Sequence, residues 1–173
     1  MKPIIFAKDL SNILLIRYKS QAACDKHNTW PPVLEFLEFC KAEPDVLSGA
    51  PDVWHSEQIE LFARPRLAEN ESPFVILTRL TYDTTKLDSG LGGWKSIVRH
   101  MESSEQGMLA SSVGKAVEYE NTLTVVEVYD DEHTFKSIHM QEGQVHQVLQ
   151  KDKSIRAAQP EVAFLKHVAG FWA

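Results

Sequence analysis

Cysteine is scarce in this chain: Cys24 and Cys40 are the only two among 173 residues, and no CxxC pair occurs. Two thiols exclude a disulfide scaffold, and without paired spacing they exclude a thioredoxin-type centre. Both read as buried packing residues in a reducing, cytoplasmic setting. Long apolar runs are missing too. No segment approaches the ~20 residues that a membrane-spanning helix requires, and the start of the chain lacks the charged-then-apolar pattern of a signal peptide. There is also no basic run. Lys+Arg 18 against Asp+Glu 24 gives a net charge of −6, which argues against nucleic acid as a partner. What remains is an ordinary hydrophobic content of 43%, enough for a globular core in one or two domains.

The strongest patterning lies in residues 72–173. Residues 74–80 form an apolar run behind Ser72-Pro73 and predict a strand. Trp94, Ile97, Val98 and Met101 recur at i, i+3, i+4 and i+7, one face of a helix, with Gly107 near the expected C-terminal stop. Residues 108–119 and 122–129 read as two strands joined near Glu120-Asn121. Phe135, Ile138, Glu142, Val145 and Leu149 return to helical spacing, and residues 162–172 close the unit as a strand. The order βαββαβ is the split βαβ, or ferredoxin-like, unit.

Residues 4–8 and 13–18 read as a hairpin around Asp9-Leu10-Ser11-Asn12. A helix begins over 21–27, is interrupted at 28–32 and restarts at Pro31-Pro32, with Val33, Leu34, Leu37 and Cys40 on one face. Residues 54–62 read as a strand and 64–71 as a linker. An internal repeat is visible. Tyr18, His27 and Leu37 in the first part correspond to Tyr129, His139 and Leu149 in the second. Each copy ends in a strand carrying a tryptophan, Trp54 or Trp172, and Ile16 stands where the second copy has Glu127. Residues 1–66 are therefore expected to form a reduced β-β-α-β module and residues 72–173 a complete βαββαβ module. Only residues 1–12 precede Ile13, too few for a full front half. The first module is thus either a three-stranded remnant or a shortened version of a longer one.

Three pieces of the second module, Glu105-x-Gly107-x-Leu109, Glu127-x-Tyr129-x-Asp131-Glu132 and His139, resemble the antibiotic biosynthesis monooxygenase domains of the dimeric α/β-barrel superfamily. The resemblance implies tandem ferredoxin-like modules in a barrel-like arrangement, as an internal pseudo-dimer or a homodimer. It also implies a cofactor-independent monooxygenase of secondary metabolism, with O₂ as co-substrate and an aromatic, polyketide-type small molecule as substrate. A polyketide cyclase or isomerase, or a non-catalytic binding or oligomerisation module, are the alternatives on the same fold. Haem-degrading relatives carry asparagine, tryptophan and histidine at positions matching Thr78, His139 and Leu149. None fits, so haem is not expected.

His139 is the candidate base, since neutral imidazole accepts protons near pH 7; a packing histidine is the alternative. Glu127 and Tyr129, two apart on a strand, project from one face and are its candidate catalytic partners. Trp94, Arg79, Thr78 and His27 complete the set as candidate substrate-binding residues, although Trp94 as a core aromatic and Arg79 as a surface cation need no function. His139 and His146 would lie roughly 10 Å apart on one helix, too far for a single ion with ~2 Å bonds, so no metal is expected. The glycine-rich run Ser89-Gly90-Leu91-Gly92-Gly93 lacks the Lys-Ser/Thr of a phosphate loop and reads as a flexible segment leading into the first helix.

Overall fold

The computed structural model describes residues 16, 18, 20–43 and 55–166. Contacts divide the chain into two units, residues 1–57 and 58–173. In the first, helix α1 (Gln21–Asn28) begins at Ser20, whose side chain accepts from the Ala23 N–H, and α2 (Pro31–Ala42) restarts with proline in its first turn. The predicted interruption between them is present. The α2 stripe is shallow: Cys40 is buried, Val33 and Leu37 are half-buried, and Leu34 is 47% exposed. The predicted hairpin lies outside the described residues except for Ile16 and Tyr18, as do Trp54 and Trp172.

The second unit is built on a five-stranded sheet of order β1-β3-β4-β2-β5. Its strands are β1 (Ser56–Ala63), β2 (Phe74–Thr81), β3 (Met108–Ala116), β4 (Thr122–Tyr129) and β5 (Glu161–Lys166). Pairings β2–β4, β2–β5 and β3–β4 are antiparallel, with Phe74 opposite Tyr129 and Ile76 opposite Glu127 on β2–β4. Strands β2 to β5 have the order of the ferredoxin-like unit. The strand assigned from sequence to the first module, β1, lies beside β3 at the edge of this second sheet. Asn121 turns the β3–β4 hairpin with φ 55°, a left-handed conformation that asparagine tolerates better than most residues.

Helix α3 (Leu87–Ser104) covers one face of the sheet through the predicted stripe of Trp94, Ile97, Val98 and Met101, all buried. These meet Ile76 and Leu80 of β2 and Leu123 and Val125 of β4 in one core. Burial of each large apolar side chain favours folding by about 1.5–3 kcal/mol. The glycine-rich run is not a flexible segment. It lies inside α3, where a Cβ on Gly90 would stand 2.3 Å from the Tyr82 ring and one on Gly93 would stand 3.1 Å from Val148. Gly90 and Gly93 let α3 approach its neighbours. Beneath it, the Tyr82 hydroxyl donates to Asp152 at 2.5 Å, and Asp152 pairs with Arg156. These groups satisfy one another in the interior.

Two further expectations are corrected. The segment 64–71 is no loose linker. It holds a 3₁₀ turn (Pro65–Glu69), and the Arg64 guanidinium donates to the carbonyls of Met108 at 2.8 Å, Glu102 at 2.7 Å and Glu105 at 3.3 Å. A cation there satisfies carbonyls that the end of α3 leaves without helical partners. Nor is the second helix continuous. Helix α4 (Glu132–Ser137) stops at Ile138 (φ −113°, ψ −66°), a 3₁₀ turn (His139–Gln141) follows, and α5 (Gly143–Lys153) starts anew with Glu142 as its cap. Ile138 is 51% exposed, so the apolar spacing that suggested one helix runs across a break.

Candidate functional site

Three elements converge under α4. On β4, alternation places Glu127 and Tyr129 on the same face as Leu123 and Val125, toward the helices. The Tyr129 hydroxyl donates to Glu127 Oε1 at 3.3 Å. Glu105 follows the last turn of α3, its backbone held by Arg64 and by an N–H to the Met101 carbonyl at 3.0 Å. His139 comes from the 3₁₀ turn, not from a helix as expected. Its Nδ1 lies 3.2 and 3.1 Å from the two Glu105 oxygens, and its Nε2 lies 3.9 Å from Glu127 Oε1. The result is a row, Glu105–His139–Glu127–Tyr129, in which every member is less than 7% exposed.

Packing fixes the row. The His139 ring stacks on Phe135 at 5.8 Å between centroids and meets the Tyr129 ring edge-on at 5.4 Å. Gly107 makes the approach possible, since a Cβ there would stand 2.3 Å from Thr134 Cγ2 of α4. In Glu105-x-Gly107, the glycine admits the helix and the glutamate meets the histidine that the helix leads to. Ser111 lies directly across from Glu127 on β3 and so shares its face. Its hydroxyl is buried and has no hydrogen-bond partner among the described residues.

The electrostatics follow from two carboxylates flanking one imidazole in a dry interior. Burial pushes the Glu127 carboxyl up; the His139 charge and the Tyr129 hydroxyl oppose this without reversing it. Burial works to lower His139, but the Glu105 hydrogen bond and the charges of Glu127, Glu105 and Glu142 outweigh it, so its pKa is raised. Burial, with Glu127 next, raises Tyr129 well above the usual phenol range. The carboxylates sit against opposite nitrogens of the ring, so they do not face a common point. No group of three His, Cys, Asp or Glu residues among the described residues is disposed to hold a metal ion.

The other predicted residues are dispersed. Thr78 and Trp94 are buried on the helix side of the sheet, Trp94 within the core. Arg79 projects from the opposite face, pairs with Glu161 and lies over the Tyr119 ring at 4.8 Å. His27 belongs to the first unit, its ring 5.4 Å from that of Tyr18. A depression of about 350 Å³ at the other end of β4, lined by residues that include Lys115, Tyr119 and Thr122, holds none of them. The residue that sequence reading left out of the site is Glu105. Its signal was present in the Glu-x-Gly-x-Leu motif, but nothing in the sequence showed that this loop meets His139.

No family model and no curated protein matches the chain. Solved structures do. A candidate monooxygenase of Fusobacterium nucleatum matches over 99% of this chain and 78% of its own, with TM-score 0.74 and 16% identity. A candidate monooxygenase of Lactobacillus acidophilus matches over 95% of this chain and 77% of its own, with TM-score 0.71 and 12% identity. An anthrone oxidase-like protein matches over 97% of this chain and 76% of its own, with TM-score 0.63 and 12% identity. A candidate antibiotic biosynthesis monooxygenase of Caulobacter crescentus covers 58% of this chain with 93% of its own length, at TM-score 0.54. At these identities the likeness establishes the fold. Near-full-length matches beside a match to just over half the chain fit the expected tandem ferredoxin-like plan. No helix among the described residues is long and apolar enough to cross a membrane.

Proposed function

We propose that the protein is a monooxygenase acting on an electron-rich aromatic small molecule of the anthrone or polyketide type, with O₂ as co-substrate and no bound cofactor. The observation that carries this reading is the convergence of His139, Glu127 and Tyr129 in a water-poor interior beneath α4, on a fold shared with structures described as monooxygenases. His139 is the base. It takes a proton from the activated C–H or phenolic O–H of the substrate, and the resulting anion passes one electron to O₂. The carbon radical and superoxide recombine as a peroxide, which takes up a proton. Loss of water from the hydroperoxide leaves a carbonyl, so one CH₂ and one O₂ become one C=O and one H₂O. The buried, unpartnered Ser111 hydroxyl is available to donate to the oxygen on which negative charge develops. Exclusion of water strengthens each of these contacts.

The test is O₂ consumption with 1,8-dihydroxyanthrone, corrected for spontaneous oxidation, by the protein and by His139→Ala. The reading requires turnover that depends on O₂ and falls in the variant. Equal rates in the folded variant and the parent would refute it. One observation favours a second reading. A histidine whose pKa is raised between two carboxylates holds a proton readily, and an imidazolium donates as well as accepts. Conversion of an aromatic polyketide under nitrogen would place the activity with the cyclases and isomerases.

A further inference from the structure

We infer that Glu105 is the positioning residue of this site: its carboxylate accepts the Nδ1–H of His139 and makes Nε2, on the side of Glu127, the atom at which the ring takes up and releases protons. The inference rests on the proposed use of His139 as a base, and names the group that makes it one.

The geometry is one-sided. Both Glu105 oxygens lie within 3.2 Å of Nδ1, whereas Nε2 stands 3.9 Å from Glu127, outside hydrogen-bond range. A neutral imidazole carries one proton, and its position is set by the hydrogen bond that the other nitrogen makes. A carboxylate on Nδ1 holds the proton there and leaves the Nε2 lone pair free. On that side the ring faces Glu127 across 3.9 Å, too far for a hydrogen bond to compete for the Nε2 lone pair. Glu105 itself has little freedom. It is 4% exposed, and its carbonyl and those of Met101 and Glu102 in the last turn of α3 are tied to Arg64.

A purely structural origin for the pair is a poor account of it. Two buried carboxylates around one imidazole are costly, and a hydrophobic replacement of a buried ion pair is often neutral or stabilising. The charged and titratable groups facing the ring are Glu105 at the end of α3, Glu127 and Tyr129 on β4, and Glu142 at the cap of α5. Glu142 in turn lies 3.4 Å from His100 of α3. Phe135 of α4 covers the ring and adds no charge. Glu105 is the acid among these within hydrogen-bond range of the imidazole.

The experiment is ¹⁵N NMR of the histidine side chains across pH in the full-length protein, in Glu105→Gln and in Glu127→Gln. In the parent, Nδ1 should stay protonated while Nε2 titrates, with a midpoint above the ordinary 6.5. Glu105→Gln should lower the midpoint and admit the tautomer protonated on Nε2, because a glutamine amide can donate to Nδ1. Glu127→Gln should lower the midpoint but keep the proton on Nδ1. A neutral parent ring protonated on Nε2 overturns the assignment, and this holds even if Glu105→Gln does not fold. So does a Glu105→Gln protein with unchanged tautomer and midpoint. With 1,8-dihydroxyanthrone, Glu105→Gln should lower kcat by about 10²–10⁴-fold with little change in KM, and should move the acid limb of kcat/KM to lower pH. If the NMR result holds and the parent turns over no anthrone, the oxygenase reading fails while the assignment of Glu105 stands.

Discussion

The chain contains two tyrosine–histidine pairs that look alike and are differently equipped. Tyr18 and His27 meet with ring centroids 5.4 Å apart at 61°, and Tyr129 and His139 with centroids 5.4 Å apart at 64°. In each copy the helix cap stands two residues after the tyrosine, Ser20 or Asp131, and accepts from the backbone N–H three residues on. The surroundings then diverge. The Tyr129 hydroxyl donates to Glu127, whereas Ile16 occupies the matching position beside Tyr18. The Tyr18 hydroxyl has no hydrogen-bond partner among the described residues, and burial, with Cys24 next, pushes its pKa up to about 12. One pair is an aromatic packing unit; the other is the same unit with two carboxylates added.

The spacing shows how the second pair was kept together. From the cap to the histidine is seven residues in the first copy and eight in the second. In a continuous helix one extra residue turns a side chain by roughly 100°, which would carry His139 away from Tyr129. The break at Ile138 and the 3₁₀ turn after it return the ring to the tyrosine and bring Nδ1 to Glu105.

The largest expected difference between the pairs is in turnover. A positioned base contributes about 10²–10⁴-fold, so His139→Ala should lower anthrone oxidation by that factor. His27→Ala, like His133→Ala at an exposed position, should leave the rate per folded molecule unchanged. An equal loss in His27→Ala would erase the functional distinction between the copies. The next test removes each hydroxyl. Tyr129→Phe strips Glu127 of a buried donor and should destabilise by about 1–3 kcal/mol in urea unfolding. Tyr18→Phe removes an unpartnered hydroxyl and should be neutral or slightly stabilising.

Protonation offers a third contrast. His139 and Glu127 both have folded-state pKa values raised above their ordinary 6.5 and 4.5. Their contributions are complete below those ordinary values and are lost as pH rises through the raised ones. Unfolding midpoints should therefore decline as pH rises above about 6.5, and Glu105→Gln should weaken that decline by lowering the His139 midpoint. A flat profile in the parent would show that the histidine gains nothing from its carboxylates. The smallest effect is expected at the caps. Asp131→Ala and Ser20→Ala should each cost about 1 kcal/mol, but only the former, which leads into the turn carrying His139, should also reduce turnover.

Much of the fold was legible because it rests on short-range periodicity. The stripe Trp94 to Met101 and the face shared by Glu127 and Tyr129 follow from 3.6-fold and twofold repeats alone. The break in the second helix was hidden because Phe135, Ile138 and Val145 imitate one continuous face. The Glu142-Gly143 start of α5 was the contrary signal. Gly90 and Gly93 of α3 read as flexibility because their purpose is visible only against Tyr82 and Val148. The site was half legible for the same reason. Glu127 and Tyr129 are neighbours along a strand, whereas Glu105 and His139, 34 residues apart, meet through tertiary packing.

The place of β1 has a practical bearing on where the chain can be divided. A fragment begun at residue 72, the boundary suggested by composition, would retain every strand of the ferredoxin-like unit but lose β1, which lies alongside β3. The backbone N–H and C=O groups along that side of β3 would become an open template for another chain. Such a fragment is expected to self-associate, whereas one begun near residue 58 keeps most of the strand that closes that edge.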